Sequence, residues 1–266
     1  MRYRIDHDCH IHSKLSFCSN HPEETTDRIL AYARENSFRT ITLTDHYWDE
    51  SVAGASSWYA GQNTAHVRSA LPLPQAEGVR FLFGCETELD RHLTVGISRA
   101  RMEEFDFIII PITHMHMTGF TIEGNADAQR RAALWCERFD AVLGMDLPFH
   151  KIGMAHLTCP LLSPDRSEEQ HKVLLRALPE DDMRRLFSRA AEKGVGIELN
   201  MAIHKYAEER RELMLRPFRI AAACGCRFYL GSDAHTPERL AAAPADFQMM
   251  VDALGLTEEQ KFPLFA

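Results

Sequence analysis

Apolar residues in this chain gather into short runs, and most runs are followed by a stretch of helical period. Seven β-rich runs occupy residues 3–9, 39–44, 79–85, 107–112, 151–155, 194–199 and 227–231. Such runs, bounded by polar turn residues, read as buried strands, whereas apolar positions recurring every three or four residues read as amphipathic helices. Pro22-Glu23-Glu24 opens a helix predicted to reach Asn36, with proline in the first turn and acids behind it. Residues 127–142 set Ala132, Trp135, Phe139 and Val142 at helical spacing. Residues 179–193 set Met183, Leu186 and Ala190 on one stripe, with Gly194 placed as the cap. The last long helix is predicted over residues 208–224, kinked or interrupted at Pro217. Residues 51–74, rich in Gly, Ser and Pro, read as a long loop with a helix near residues 64–69.

Strands alternating with helices imply a parallel sheet joined by right-handed crossovers. Seven such units predict an α/β fold closed, or nearly closed, into a (β/α)7 TIM-like barrel, with an open doubly wound sheet as the alternative. No GxGxxG and no P-loop follows the first strand, which argues against the nucleotide-binding versions. No repeat or interdomain linker divides the chain, so residues 1–266 read as a single domain.

Composition narrows the picture. Apolar residues make up 45% and charged residues 26%, an ordinary globular balance. Lys and Arg number 30 against 38 Asp and Glu, a net charge of −8 without a basic stripe. No nucleic-acid partner is expected from that balance, because backbone binding needs clustered cations. Seven cysteines with no CxxC suit neither a disulfide framework nor a zinc ribbon. The polar start MRYRIDHDCHIH and the shortness of every apolar run predict a cytoplasmic protein without a membrane partner.

The fourteen histidines change the picture most. Read at their C-terminal ends, the seven strands give Asp8-Cys9-His10-Ile11-His12, Thr44-Asp45-His46, Cys85-Glu86, His114-Met115-His116, Ala155-His156, Glu198-Leu199-Asn200 and Gly231-Ser232-Asp233-Ala234-His235. In parallel α/β barrels these ends converge on one face, so residues remote in sequence meet in one basin. Side chains two apart on an extended strand point the same way, so His10 and His12 can chelate one ion together. Imidazole with carboxylate suits Zn, Fe or Mn, and a hard carboxylate can bridge two ions. Glu86, in the middle of the ligand order, is the bridging candidate. Of the second HxH pair, His114 is favoured over His116. His66, His92 and His171 read as satisfied polar residues with no part in a site.

This set of residues resembles the polymerase and histidinol phosphatase (PHP) family. Asp8-x-His10-x-His12, Thr44-Asp45-His46, His114 and Gly231-Ser232-Asp233-Ala234-His235 look like its four motifs, with Glu86 and His156 as the intervening ligands. The resemblance implies a distorted barrel holding two or three divalent ions, Zn, Fe or Mn. The ligands so implied are His10, His12, His21, His46, Glu86, His114, His156, Asp233 and His235. His10, His12, Glu86 and Asp233 would hold one pair of ions, with Glu86, His114 and His156 completing the second ion. His46 and His235, with His21, would hold a third. Within the family, the chain is most similar to the histidinol-phosphatase branch. It departs from that branch in the loop after the first motif, where two residues separate Cys18 from His21 instead of one. It departs again in Pro111-Ile112-Thr113 before His114, where the branch has Gly-Ser. Glu198-Leu199-Asn200 with His204-Lys205 is similar to that branch's E-x-N segment with a downstream basic residue.

The expected reaction is hydrolysis of a small phosphorylated substrate, histidinol phosphate being one candidate, by in-line attack of a hydroxide held between two ions. His235 or His46 would protonate the leaving alcohol and Asp233 would serve the reacting centre. Asn200, Lys205 and Arg210 are the candidate substrate contacts. The alternatives are a nuclease or phosphodiesterase of the same family, an amidohydrolase, and a non-catalytic metal-binding barrel. The amidohydrolase reading wants a lysine after the fourth strand, where this chain has His114.

Overall fold

In the computed structural model, which describes residues 1–19 and 21–265, eight parallel strands form one sheet. They are β1 (His7–Ile11), β2 (Thr40–Leu43), β3 (His46–Tyr47), β4 (Arg80–Thr87), β5 (Phe107–Pro111), β6 (Ile152–Ala155), β7 (Gly196–Leu199) and β8 (Arg227–Leu230). Their order is β1-β2-β4-β5-β6-β7-β8, with β3 also paired to β4. Leu43 stands opposite Phe83 and His46 opposite Glu86, so β2 and β3 are one stave broken at Thr44-Asp45. The ends meet where Asp233 N donates to His10 O at 2.8 Å and His12 N to Ala234 O at 3.0 Å. The result is the (β/α)7 TIM-like barrel that the alternation of elements predicts.

Helices surround the sheet: α1 (Thr26–Glu35), α2 (Thr64–Arg68), α3 (Arg99–Met102), α4 (Ala128–Gly144), α5 (Glu168–Ala177), α6 (Glu180–Lys193), α7 (Glu208–Ala223) and α8 (Pro237–Leu254). Side-chain oxygens set their starts: Thr25 accepts from Arg28 N, Asp127 from Arg130 N and Thr236 from Arg239 N. Gly194 ends α6 in the left-handed region, as expected. Of the two alternatives at Pro217, interruption is excluded, because α7 runs through it with Pro217 buried. One expectation needs correction. The helix expected over 208–224 is not the last, because α8 follows; its signals were Thr236-Pro237-Glu238 at the start and Gly255 at the end. The first strand also begins later than residue 3. Arg2 pairs antiparallel with Thr257 and the Tyr3 hydroxyl donates to Phe228 O, so residues 2–6 lie outside the stave.

Along β5, Ile108 and Ile110 belong to the main apolar core, while Phe107 and Ile109 join a smaller cluster with Cys9, Ala155, Tyr229 and Phe262. That period-two split marks the two faces of the stave. Among the described residues no helix is long and apolar enough to cross a membrane, and all seven cysteines are free.

Candidate metal centre

Strand geometry delivers four ligand atoms to one point. His10 Nε2 and His12 Nε2 lie 3.0 Å apart, since both project from the same side of the β1 end. Glu86, the penultimate residue of β4, brings Oε2 to 3.5 Å from His10 Nε2 and 3.3 Å from His12 Nε2. Asp233, after β8, brings Oδ1 to 3.5 and 3.3 Å from the same two nitrogens. Ligand atoms held about 2.0–2.1 Å from one ion in a tetrahedron are about 3.3 Å from one another. All five separations fall around that spacing, so the donor set fits a zinc-sized divalent cation. Glu86 Oε2 is buried with no hydrogen-bond partner, a costly arrangement for a carboxylate oxygen unless a cation takes its lone pair.

The other Glu86 oxygen serves a second position. Oε1 lies 3.0 Å from His156 Nε2 and 4.0 Å from His114 Nε2, and the two rings stack at 4.6 Å. Glu86 thus presents one oxygen to each group, the arrangement a bridging carboxylate requires. A third group joins His46 and His235 to His12. The His235 ring stacks on His12 at 4.3 Å, and His46 Nδ1 lies 3.0 Å from Glu86 Oε2.

Each inner imidazole is also held from behind. His10 Nδ1 donates to Glu198 at 2.5 Å, and the other Glu198 oxygen accepts from His156 N at 2.8 Å. His12 Nδ1 meets Ser16 Oγ at 2.9 Å, and that hydroxyl donates to Asp45 at 2.7 Å. His114 Nδ1 donates to Glu88 at 2.7 Å, and His156 Nδ1 meets Thr113 Oγ1 at 3.1 Å. Such partners fix the ring and its tautomer, leaving Nε2 free to bind a metal. Backbone strain accompanies the geometry: His156 and Asp233 have φ of +37° and +52°, in the left-handed region that non-glycine residues seldom adopt. Gly231 is required for a different reason. A Cβ there would stand 2.3 Å from Glu198 Oε1 and 2.7 Å from His10 Cβ.

Charge follows from this crowding. Burial opposes charge on every member, yet Glu198, Asp233 and Glu86 outweigh it and hold His10 well above the ordinary imidazole value. His12 is likewise raised, to about 9, by Asp233 and Glu86 against the cost of burial. Burial is also outweighed at Glu86 and Asp233, whose surrounding histidines hold both well below the usual carboxylate range. For His46, burial prevails and the pKa falls. Without a metal, the cluster therefore holds protons that a cation can displace.

The chain matches the PHP domain over residues 8–202, which is most of its length. It belongs to the PHP domain family. No curated relative matches it. Among solved structures it is similar to the histidinol phosphate phosphatase of Lactococcus lactis subsp. lactis Il1403, crystallised with zinc, L-histidinol and phosphate. The identity is 14%, covering 96% of this chain and 98% of that one at a TM-score of 0.63. A structure from Listeria monocytogenes bearing the name histidinol phosphatase aligns at 13% identity over 91% and 99% of the two chains, again at 0.63. At these identities the likeness shows a shared fold.

Of the PHP ligands expected from the motifs, His10, His12, His46, Glu86, His114, His156, Asp233 and His235 come together around the strand ends. His21 joins none of the three groups; its Nδ1 accepts from Glu23 N at 3.4 Å. His116 stands exposed on the rim of a cavity above the cluster. Asn200 and Lys205 line a second cavity beside Asp233. Arg210 lines neither cavity. It is buried, donates from Nε to His171 Nδ1 at 3.1 Å and lies over the Tyr206 ring at 4.7 Å. Asp8, first residue of its motif, belongs to none of the three groups. It accepts from Ser232 N at 2.9 Å and from the Tyr32 hydroxyl at 3.0 Å, tying β1 to the β8 end, and burial pushes its pKa to about 6.

Three contributors escaped the sequence reading. Glu88 follows Glu86 at period two, a spacing that signals a shared strand face. Glu198 was noted as part of a segment without its contact to His10. Arg239 lies on the unexpected α8 and lines the second cavity, paired with the buried Asp246.

Proposed function

We propose that this chain is a metal-dependent phosphoesterase that hydrolyses a small phosphomonoester at a cluster of two or three divalent ions. The observation that carries the reading is Glu86, whose two oxygens face two separate groups of imidazole nitrogens. His10, His12, Glu86 and Asp233 would hold one ion, Glu86, His114 and His156 the next, and His46 with His235 a third. Zinc, manganese and iron all suit this mixture of imidazole and carboxylate. When bound, such ions acidify water to a nucleophile at neutral pH and neutralise charge developing on phosphoryl oxygens.

The protein's own groups do the rest. Glu198, Ser16, Glu88 and Thr113 fix four imidazoles so that no reorganisation is needed on binding. Lys205 and Arg239, which line one cavity with Asn200 and Asp233, would orient the phosphate. With two ions bound and the third position empty, His235, which borders the larger cavity, is the candidate to deliver a proton to the leaving oxygen, with His46 behind it. Histidinol phosphate belongs in the panel as the comparison ester, because both related structures carry that enzyme name.

The test is release of inorganic phosphate from a panel of phosphomonoesters, with Mn, Zn, Fe and Mg compared. Metal-dependent turnover of at least one ester, abolished by chelation, is expected. Hydrolysis of amides but no phosphoester would overturn the proposal.

A further inference from the structure

Two cavities share Asp233 as a common wall, and their chemistry differs. The smaller, of roughly 240 Å³, holds the cationic Lys205 and Arg239 with the amide of Asn200. The larger, of roughly 480 Å³, rises from the metal cluster and is walled by Trp58, Tyr59, Met117, Phe120 and Leu161. Its lining contains neither Lys nor Arg, and its carboxylates are only Glu86 and Asp233, both committed to the metal cluster. The aromatic wall is braced. Trp58 packs edge-on to Tyr59 at 4.8 Å and to His46 at 5.0 Å, and Phe120 lies 5.5 Å from the Tyr59 ring.

We infer that the alcohol carried by the substrate is bulky, aromatic or aliphatic, and uncharged. This inference rests on the phosphoesterase reading and names the substrate class within it. The phosphate belongs at the shared wall, between the ions and the pair of cations. The organic group then has one roomy place to go, the aromatic chamber, where apolar surface is buried against apolar surface. An amino alcohol fits badly there. Its ammonium would sit close to several divalent charges with no free carboxylate to pair it, and an unpaired buried charge is costly. The chamber is also several times larger than a compact group such as glycerol needs.

The test uses two phosphonates that differ by one amino group, 4-phenylbutylphosphonate and 3-amino-4-phenylbutylphosphonate, titrated calorimetrically into the Mn-loaded protein. Phosphocholine is a third probe, because an aromatic wall can also receive a quaternary ammonium. The neutral phosphonate is expected to bind at least tenfold more tightly than its amino partner and than phosphocholine. Trp58→Ala and Phe120→Ala are each expected to weaken it by about tenfold. Equal or tighter binding of the amino compound or of phosphocholine overturns the inference. So does indifference of the neutral compound to both substitutions. The matching esters, 3-phenylpropyl phosphate and phenylalaninol phosphate, separate this from the underlying reading. Turnover that favours the amino ester defeats the inference and leaves the phosphoesterase standing, whereas tight binding of the neutral phosphonate without turnover of any ester defeats only the phosphoesterase.

Discussion

The floor of the metal cluster and its rim are built differently. On the floor, His10, His12, His114 and His156 are buried, and each has its outer nitrogen held by a side chain. At the rim, His235 is 28% exposed, its Nδ1 meets the Asp233 carbonyl at 2.9 Å and lies 3.7 Å from the Asp233 carboxylate, and its Nε2 faces the exposed Cys18. Groups fixed by packing and hydrogen bonds bind ions at little ordering cost, whereas a partly exposed side chain with fewer such partners must be ordered first. On the proposed reading, the difference teaches that the two floor ions would be held by the fold itself and that a third, at the rim, would exchange more easily.

The largest effect expected is from His10→Ala, which removes a proposed ligand and leaves the buried Glu198 Oε1 without its imidazole partner. Metal loading and hydrolysis should vanish together; full activity in that variant would break the contrast. Gly231→Ala comes next. The new methyl meets Glu198 and the His10 side chain, and overpacking of this kind costs about 1–3 kcal/mol. Thermal denaturation should show the loss, with weakened metal binding alongside it.

Glu88→Gln sharpens the comparison from the other side. The ligand set stays whole, but His114 loses its carboxylate. Changes of this type lower metal affinity by about 10–100-fold, measurable by competition with a chromogenic chelator. His235→Ala, at the rim, should lower metal content by at most one ion and leave the floor loaded.

The smallest effect is one of pH. The pKa of His12 in the protein alone is raised to about 9, so a proton must leave before a cation binds. Metal affinity should therefore rise with pH up to about 9. The same shift stabilises the metal-free fold fully below the unfolded histidine value of about 6.5 and is lost as pH climbs through 9. Thermal denaturation between pH 6 and 10 should show the metal-free protein weakening on the alkaline side more than the loaded one.

Much of this was legible in the chain. Seven strand ends carrying metal-capable side chains located the cluster, because a parallel barrel gathers those ends by topology alone. Glu86 stands out as the bridging candidate from its place in that order, and the fold turns its two oxygens toward two separate groups of imidazoles. What stayed hidden depends on three dimensions. Glu88 carries no signal of its own, and Glu198 reads as one more metal-capable strand end, until the fold sets them behind His114 and His10. Arg210, cationic and downstream of the E-x-N segment, looked available for phosphate, but helix α7 turns it inward against His171 and Tyr206. The aromatic chamber comes from Trp58, Tyr59 and Phe120, in two loops whose meeting no local pattern announces.

The most direct test of the central claim is the metal content of the loaded, desalted protein and of Glu86→Ala, by mass spectrometry of the elements. The account predicts at least two ions per chain in the natural protein and loss of both floor ions in the variant, with its circular dichroism unchanged. A natural protein that binds no divalent ion, or a variant that keeps its full complement, would contradict it.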